Sequence, residues 1–467
     1  MPADPPSDQP RRIIVPGEES RPSSPVAPPR EPDAGIGRTG ASRLVLPPGA
    51  DPEALENLPE YPRLRPLEIV LARDGDRELL LVSDPLGVLP APVALRPEAL
   101  DLLRVLDGSL SLNDITAEVV RASKDLRAAT HIKEFVAQLD RMLLLDSPRF
   151  EDAYREVRDA YHALEIRQAV LSGHSYPQDR EELARFLGEH FATAERWRSE
   201  AGEPVAAADA RPRALLAPHL DPRRGGPTIA RAYLEIGTEL RGPLRVIVYG
   251  TGHALMGDSV ALTRKHFETP YGLVRCDTEF VDALASRVGD AAWHGELAHR
   301  DEHSIEFQAL YLKHRFGDRP VTLVPILCGG FHGLMVAGRG PRDDPAFEGL
   351  VTAVGEAERK LGGDTVHVAA VDLSHVGPRF GDPPMDERVQ KETEALDRAA
   401  LEAAQRGDAE GWHQAVASHG DSTRVCGWGA TYAMLRSAEP GDGRLLRYEQ
   451  SAEPNGSMVS VAAMVWP

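Results

Sequence analysis

The sequence predicts an α/β fold for most of its length: a mixed, mostly parallel sheet flanked by helices on both faces. Two observations carry that prediction. From about Arg167 to Pro467 short apolar runs alternate with stretches of helical spacing, the pattern of a sheet covered by helices. Several of the apolar runs also end on a polar residue or a thiol, and in open α/β sheets ligands bind outside the carboxyl ends of the strands.

In order, the strand candidates are Arg213–Ala217, Leu244–Tyr249, Val321–Leu327, Val366–Val371 and Met458–Val465. The helical stretches between them include Thr228–Leu240, Thr278–Ala285, Glu302–Lys313 and Asp386–Arg406, and no internal repeat is found. The runs that end on chemistry are Leu215-Leu216-Ala217-Pro218-His219, Val248-Tyr249-Gly250-Thr251-Gly252-His253, Pro325-Ile326-Leu327-Cys328 and Val371-Asp372-Leu373-Ser374-His375. A lone His at a strand end is more often a satisfied hydrogen-bonding group than a ligand. Three with the same placement, joined by Asp372, point to a shared metal or acid–base pocket. His294, His299, His332 and His419 have no ligand spacing.

The residues before this region read differently. Positions 1–58 are rich in Pro, Ser, Gly, Asp and Arg, with only short apolar runs; such a stretch buries too little surface to offset its ordering entropy and is expected to be a disordered tail, or less readily a docking tail. Residues 59–150 are expected to form a small α+β domain. Ile69-Val70-Leu71 and Leu79-Leu80-Leu81-Val82 read as two strands around Asp74-Gly75-Asp76, followed by three short helices, the last with Ile132, Phe135, Leu139 and Met142 on one stripe. Residues 151–166 read as a connecting helix.

The chain has 467 residues and a formal net charge of −19, from 53 basic and 72 acidic side chains. An acidic balance argues against nucleic-acid binding, which needs clustered Lys and Arg. No run approaches the roughly 18 apolar residues of a membrane helix, and the polar, Pro-rich start lacks a signal-peptide core. Three dispersed cysteines, Cys276, Cys328 and Cys426, do not make a disulfide framework, so a soluble protein of the reducing cytoplasm is expected.

Sequence blocks now add a resemblance. "AVLSGHSYPQDREEL", "APHLDPRRGG", "VYGTGHALMGDSVALTRKHFETPYGLVRCD", "RDEHSIEFQALYLKHRFGDRPVTLVPILCG", "VDLSHVGPRFG" and "RVCGWGATYAML" follow one another in this order, and together they resemble the Memo family over residues 167–467. The resemblance implies a fold like that of the class III extradiol dioxygenases. It implies a mononuclear metal site on His219, His253 and Cys426, with His375 as acid–base group. Asp372, Asp301, His303 and Glu306 would lie at or just behind the pocket. Iron or copper is the implied metal and zinc is compatible; the thiol, where the dioxygenases have a carboxylate, favours softer or more oxidisable centres. Cys328 reads as a buried structural thiol, Cys276 carries no metal-ligand spacing, and Trp428 reads as a packing residue. After the Pro-His, Leu220-Asp221-Pro222-Arg223-Arg224 replaces the family's aromatic; Arg223 and Arg224 are either a site for an anionic substrate or solvated loop charges.

The phrases "LLRVLDGSLSLNDITAEV" and "IKEFVAQLDRMLLLDS" resemble the PqqD-like peptide-binding module, a small winged-helix domain, with a generic accessory bundle as the alternative. That resemblance implies a peptide substrate or leader peptide bound by strand addition, and the Memo resemblance implies radical-SAM and AMMECR-type partners. Two functions follow: a metal-dependent oxidoreductase of dioxygenase-like type, or a non-catalytic binding or scaffold protein that keeps the pocket.

Overall fold

The computed structural model describes residues 57–467, apart from positions 75, 76, 90, 256 and 258, together with the backbone of Arg11–Arg12. The remainder of the expected tail lies outside the described residues. The chain divides into two compact units that meet in sequence between Tyr161 and His162. Among the described residues no helix is long and apolar enough to cross a membrane.

In the N-terminal unit the two expected strands pair as a hairpin, Glu68–Asp74 against Arg77–Ser83, in a register from Asp74↔Arg77 to Glu68↔Ser83; the two turn positions lie outside the described residues. A third strand, Val93–Leu95, pairs with the second. The helices Ala99–Val105, Leu112–Ser123 and Ala128–Arg141 follow. Ser111 caps the second by accepting from the Asp114 backbone N–H. Their apolar stripes bury Leu103, Ile115, Ile132, Val136 and Leu139 against Ile69, Leu80 and Val82 of the hairpin. The helix expected at 151–166 is instead Pro148–His162. Ile166–Arg167 leaves it to pair as a short parallel strand with His266–Phe267.

The C-terminal unit is built on a nine-stranded sheet. Its strands are β1 (Ala214–Ala217), β2 (Leu244–Thr251), β3 (Val260–Leu262), β4 (Arg275–Cys276), β5 (Val321–Cys328), β6 (Asp364–Ala370), β7 (His375–Val376), β8 (Arg444–Ala452) and β9 (Met458–Trp466). The order is β4-β5-β2-β6-β1-β9-β7, with β8 on β9 and β3 on β5. The first five in that order are mutually parallel. β9 joins β1 antiparallel and carries β7 and β8, also antiparallel. The sheet is therefore mixed with a parallel centre, as its sequence pattern predicts.

Side-chain alternation along these strands feeds two cores. Leu215, Ala217, Val246, Val248, Val366 and Val368 enter one; Ala214, Leu216, Ile247, Tyr249 and Ala369 enter the other. Successive residues of a strand point to opposite faces, so both faces are buried. The first core is closed by α1 (Arg180–Glu200), α2 (Pro222–Tyr233) and α4 (His303–Phe316). The second is closed by α3 (Thr278–Val288), α5 (Pro345–Leu361), α6 (Glu387–Gln405), α7 (Ala409–Ala417) and α8 (Trp428–Ala438).

Two boundaries differ from expectation. α2 begins at Pro222, not Thr228, and ends at Tyr233, not Leu240. Asp221 caps it and Pro222 takes the first helical position, where a missing N–H costs nothing. Its Pro/Gly-rich start reads as a loop, but the close packing demands it: a Cβ on Gly226 would lie 2.3 Å from the His190 ring and 2.7 Å from the Tyr311 hydroxyl. β8 was not expected at all, because its exposed-edge sequence, RLLRYEQSA, is largely polar.

Candidate metal centre

β2, β6 and β1 are neighbours in the sheet, so their carboxyl ends lie within about 10 Å of one another at the usual strand spacing. The chain leaving those ends supplies His253, Asp372 and His219 respectively. Adjacency in the sheet, not in sequence, is what gathers them. Cys426 comes from the turn that opens α8. That turn presses onto the β6 end: Gly427 N–H donates to the Asp372 carbonyl at 3.1 Å, and a Cβ at position 427 would lie 2.5 Å from that of Val371. Only glycine fits there.

His219 is wholly buried. Its Nδ1 lies 2.8 Å from the Ala370 carbonyl, an acceptor, so Nδ1 carries the proton and Nε2 presents a lone pair. That Nε2 is 3.3 Å from Cys426 Sγ and 3.7 Å from Asp372 Oδ2. Asp372 uses Oδ1 to accept the backbone N–H groups of His219 and Leu220, each at 2.9 Å, which fixes the start of the loop after β1. Its Oδ2 is buried with no hydrogen-bond partner. His253 directs Nδ1 at both oxygens of Glu302, at 3.0 Å, and its Nε2 is buried without a hydrogen bond. His375 holds Nδ1 against the carbonyls of Leu373 (2.9 Å) and Arg424 (3.0 Å); its Nε2 is likewise unpartnered.

The ligand atoms of His219, His253 and Cys426 all lie within 4.8 Å of one another, and so do those of His253, Glu302 and His303. The rings of His253 and His303 stack at 4.7 Å, and both stand edge-on to His219 at 5.1 and 5.0 Å. Burial shifts several of the surrounding groups toward their neutral forms. It lowers the imidazoles of His219 and His303 and holds His375 down to about 3. It also raises the Asp372 carboxyl and pushes the Cys426 thiol well above its usual range. Burial opposes the charge on Glu302 too, but His253, His303 and the Ser304 N–H around it outweigh that effect and keep it ionised. The pocket is thus lined by lone pairs whose backing protons are all spent on the protein, an arrangement costly to bury unless something electron-poor meets it. Neutral imidazole and a thiol that loses its proton on coordination are the donors a cation takes.

Exposure shows which side is open. His253 and His303 keep 10 and 18% of their side-chain surface, whereas His219 and Asp372 keep none. One expected pocket residue, Asp301, sits elsewhere. Asp301 points to solvent, 58% exposed, and pairs with Arg300. Glu306 is buried behind the pocket, ion-paired with Arg167 and accepting from the Tyr176 hydroxyl and the Leu171 N–H. Glu302, one residue after Asp301, takes the inner place. Of the two rim arginines, Arg224 is held by Ser451 and Glu453, and Arg223 is 55% exposed beside Asp221. Trp428 packs in the second core, as expected, and Cys276 and Cys328 are buried free thiols.

Fold and site together define an α/β protein with a strand-end pocket of imidazole, thiol and carboxylate groups. Residues 167–465 match the model of the Memo-like protein family, and the chain belongs to that family. A MEMO1 family protein of Aquifex aeolicus is 26% identical over 397 residues, spanning 84% of this chain and 96% of its own. One from Thermus thermophilus is 29% identical over 357 residues (76 and 98%), and one from Methanopyrus kandleri is 29% identical over 313 residues (64 and 98%). The first two alignments are longer than residues 167–467 can supply, so both relatives also match this chain before residue 167.

Proposed function

We propose that the strand-end pocket holds a single redox metal, iron or copper, on His219, His253 and Cys426, and that this protein is a metal-dependent oxidoreductase with the architecture of a class III extradiol dioxygenase. The observation that carries the proposal is the convergence of the His219, His253 and Cys426 donor atoms within 4.8 Å of one another, in a pocket where His253 Nε2, His375 Nε2 and Asp372 Oδ2 are buried without a hydrogen-bond partner. When bound, the metal supplies one-electron chemistry and open coordination positions for dioxygen or substrate. The thiol ligand favours copper(I) over the harder ions, with zinc as the redox-silent competitor.

The protein's own groups do the rest. Ala370 and Glu302 orient the two ligand imidazoles. His375, neutral and fixed through Nδ1, offers Nε2 as the atom that accepts a proton from substrate. Asp372 ties the β1 and β6 ends together and keeps one oxygen directed at His219. Substrate enters past His253 and His303, the exposed side. In this reading the N-terminal unit is a winged-helix, PqqD-like module that presents a peptide to the same pathway, alongside radical-SAM and AMMECR-type partners.

The test is the metal content of protein purified without oxygen, wild type beside His219→Ala and Cys426→Ala. Near-stoichiometric iron or copper in the wild type, lost in both variants, is expected. A wild type that is empty and also refuses added iron, copper and zinc sinks the proposal and leaves a non-catalytic binding or scaffold protein.

A further inference from the structure

Glu302 stands where a shorter residue ordinarily stands. Helix N-caps favour Asp, Asn, Ser and Thr, and Asp caps α1, α2, α3, α5, α6 and α7 here through Asp179, Asp221, Asp277, Asp344, Asp386 and Asp408. α4 alone among these side-chain-capped helices uses Glu. Its carboxylate still caps, accepting from Ser304 N–H at 2.9 Å, but the added methylene carries it further. It also accepts from the His253 backbone N–H at 3.0 Å, meets His253 Nδ1 with both oxygens, and lies 3.2 Å from His303 Nδ1. It is 4% exposed, and Arg167 binds its carbonyl at 2.8 Å. One buried carboxylate therefore closes a helix, pins the loop after β2 and faces both imidazoles of the open side.

We infer that Glu302 is a positioning residue of the pocket, holding His253 in its Nδ1–H tautomer so that Nε2 faces inward and setting His303 parallel to it. This deepens the metal reading and rests on it. A ligand imidazole backed by a carboxylate is a stronger and better aimed donor, and losing such a partner typically weakens metal binding about 10–100-fold. His303 becomes the imidazole nearest to an entering substrate, held in register by the same carboxylate.

Glu302→Asp keeps the cap and the charge but withdraws the carboxylate from His253, and Glu302→Gln keeps the length but lacks the second acceptor oxygen. Cobalt(II) titration of the whole metal-free chain should show both variants binding about 10–100-fold more weakly than wild type, with Asp301→Asn unchanged. Nitrogen-15 spectra of the histidine rings, taken without metal, should show His253 as the Nδ1–H tautomer in wild type and as a mixture in both variants. A purely capping role predicts no change for Glu302→Asp in either reading, and that result overturns the inference. If wild type binds no cobalt, the metal reading fails, and the ring spectra alone then decide whether Glu302 positions His253.

Discussion

The two units bury different things. The N-terminal unit closes over leucine, isoleucine and valine, and its buried cation, Arg65, is answered by the buried Asp84 at 2.7 Å. The C-terminal unit has larger apolar cores but also encloses His219, Glu302, Asp372 and His375, three of which keep a nitrogen or oxygen without a partner or, in the case of His219, facing only a thiol and a carboxylate. Sealing in lone pairs works against stability. A fold tolerates them where the surrounding structure is strong enough and where they serve a ligand. The relatives differ in how much of this chain they match: the Methanopyrus protein aligns over nearly its whole length with 64% of it, the Thermus protein with 76% and the Aquifex protein with 84%.

Three perturbations would break or sharpen this contrast. The largest is Arg167→Met. Arg167 is fully buried, ion-paired with Glu306 and bonded to the carbonyls of His299 and Glu302. Removing it leaves a buried carboxylate uncompensated, which costs about 3–5 kcal/mol. Denaturant unfolding followed by probes in each unit should show the loss in the C-terminal transition alone; equal shifts in both would erase the distinction. Next is Leu139→Ala, at a fully buried position of the N-terminal core. A cost of about 2–5 kcal/mol is expected in that unit, with the pocket's cobalt affinity unchanged.

The smallest effect is at a polar network on the second-core face of the central strands. There the Tyr249 hydroxyl meets His367 Nδ1, His367 Nε2 meets Glu358, and Arg213 clasps Glu358 with two bonds. Burial opposes the charge on Glu358, but the bonds from His367 and Arg213 prevail and hold its carboxyl down to about 2, from an ordinary 4.5. A depressed carboxylate contributes stability that is full above the ordinary value and fades as pH falls from about 4.5 to about 2. Glu358→Gln should flatten the acid limb of C-terminal-unit stability in that window, a modest change because the group is partly exposed. An unchanged acid limb would place the acid sensitivity elsewhere, with the pocket groups first in line.

How much of this was legible in the sequence follows from what each signal measures. The parallel strands were readable because both faces are buried and their residues form apolar runs. His219, His253, Asp372 and His375 stood out because each follows such a run directly. The edge strand Arg444–Ala452 was not readable, since its partly exposed positions follow no apolar pattern. The choice between Asp301 and Glu302 was also closed to sequence reasoning. The two are adjacent acids, and only the exact start of α4 turns one to solvent and the other inward. The useful signal was the identity of the cap: a Glu where the other side-chain-capped helices of the C-terminal unit use Asp.

The position of β9 has a consequence for biosynthesis. Met458–Trp466 lies directly beside β1, from Ala214–Ala217, and carries β7, whose first residue is His375. Cys426 and His219 are 207 residues apart. A ribosome delivers the chain from its amino end, so every pocket residue has emerged before the strand that brackets them is available to pair. Pairings this distant in sequence also form slowly. The pocket is therefore completed only once this C-terminal strand has emerged and paired with β1 and β7.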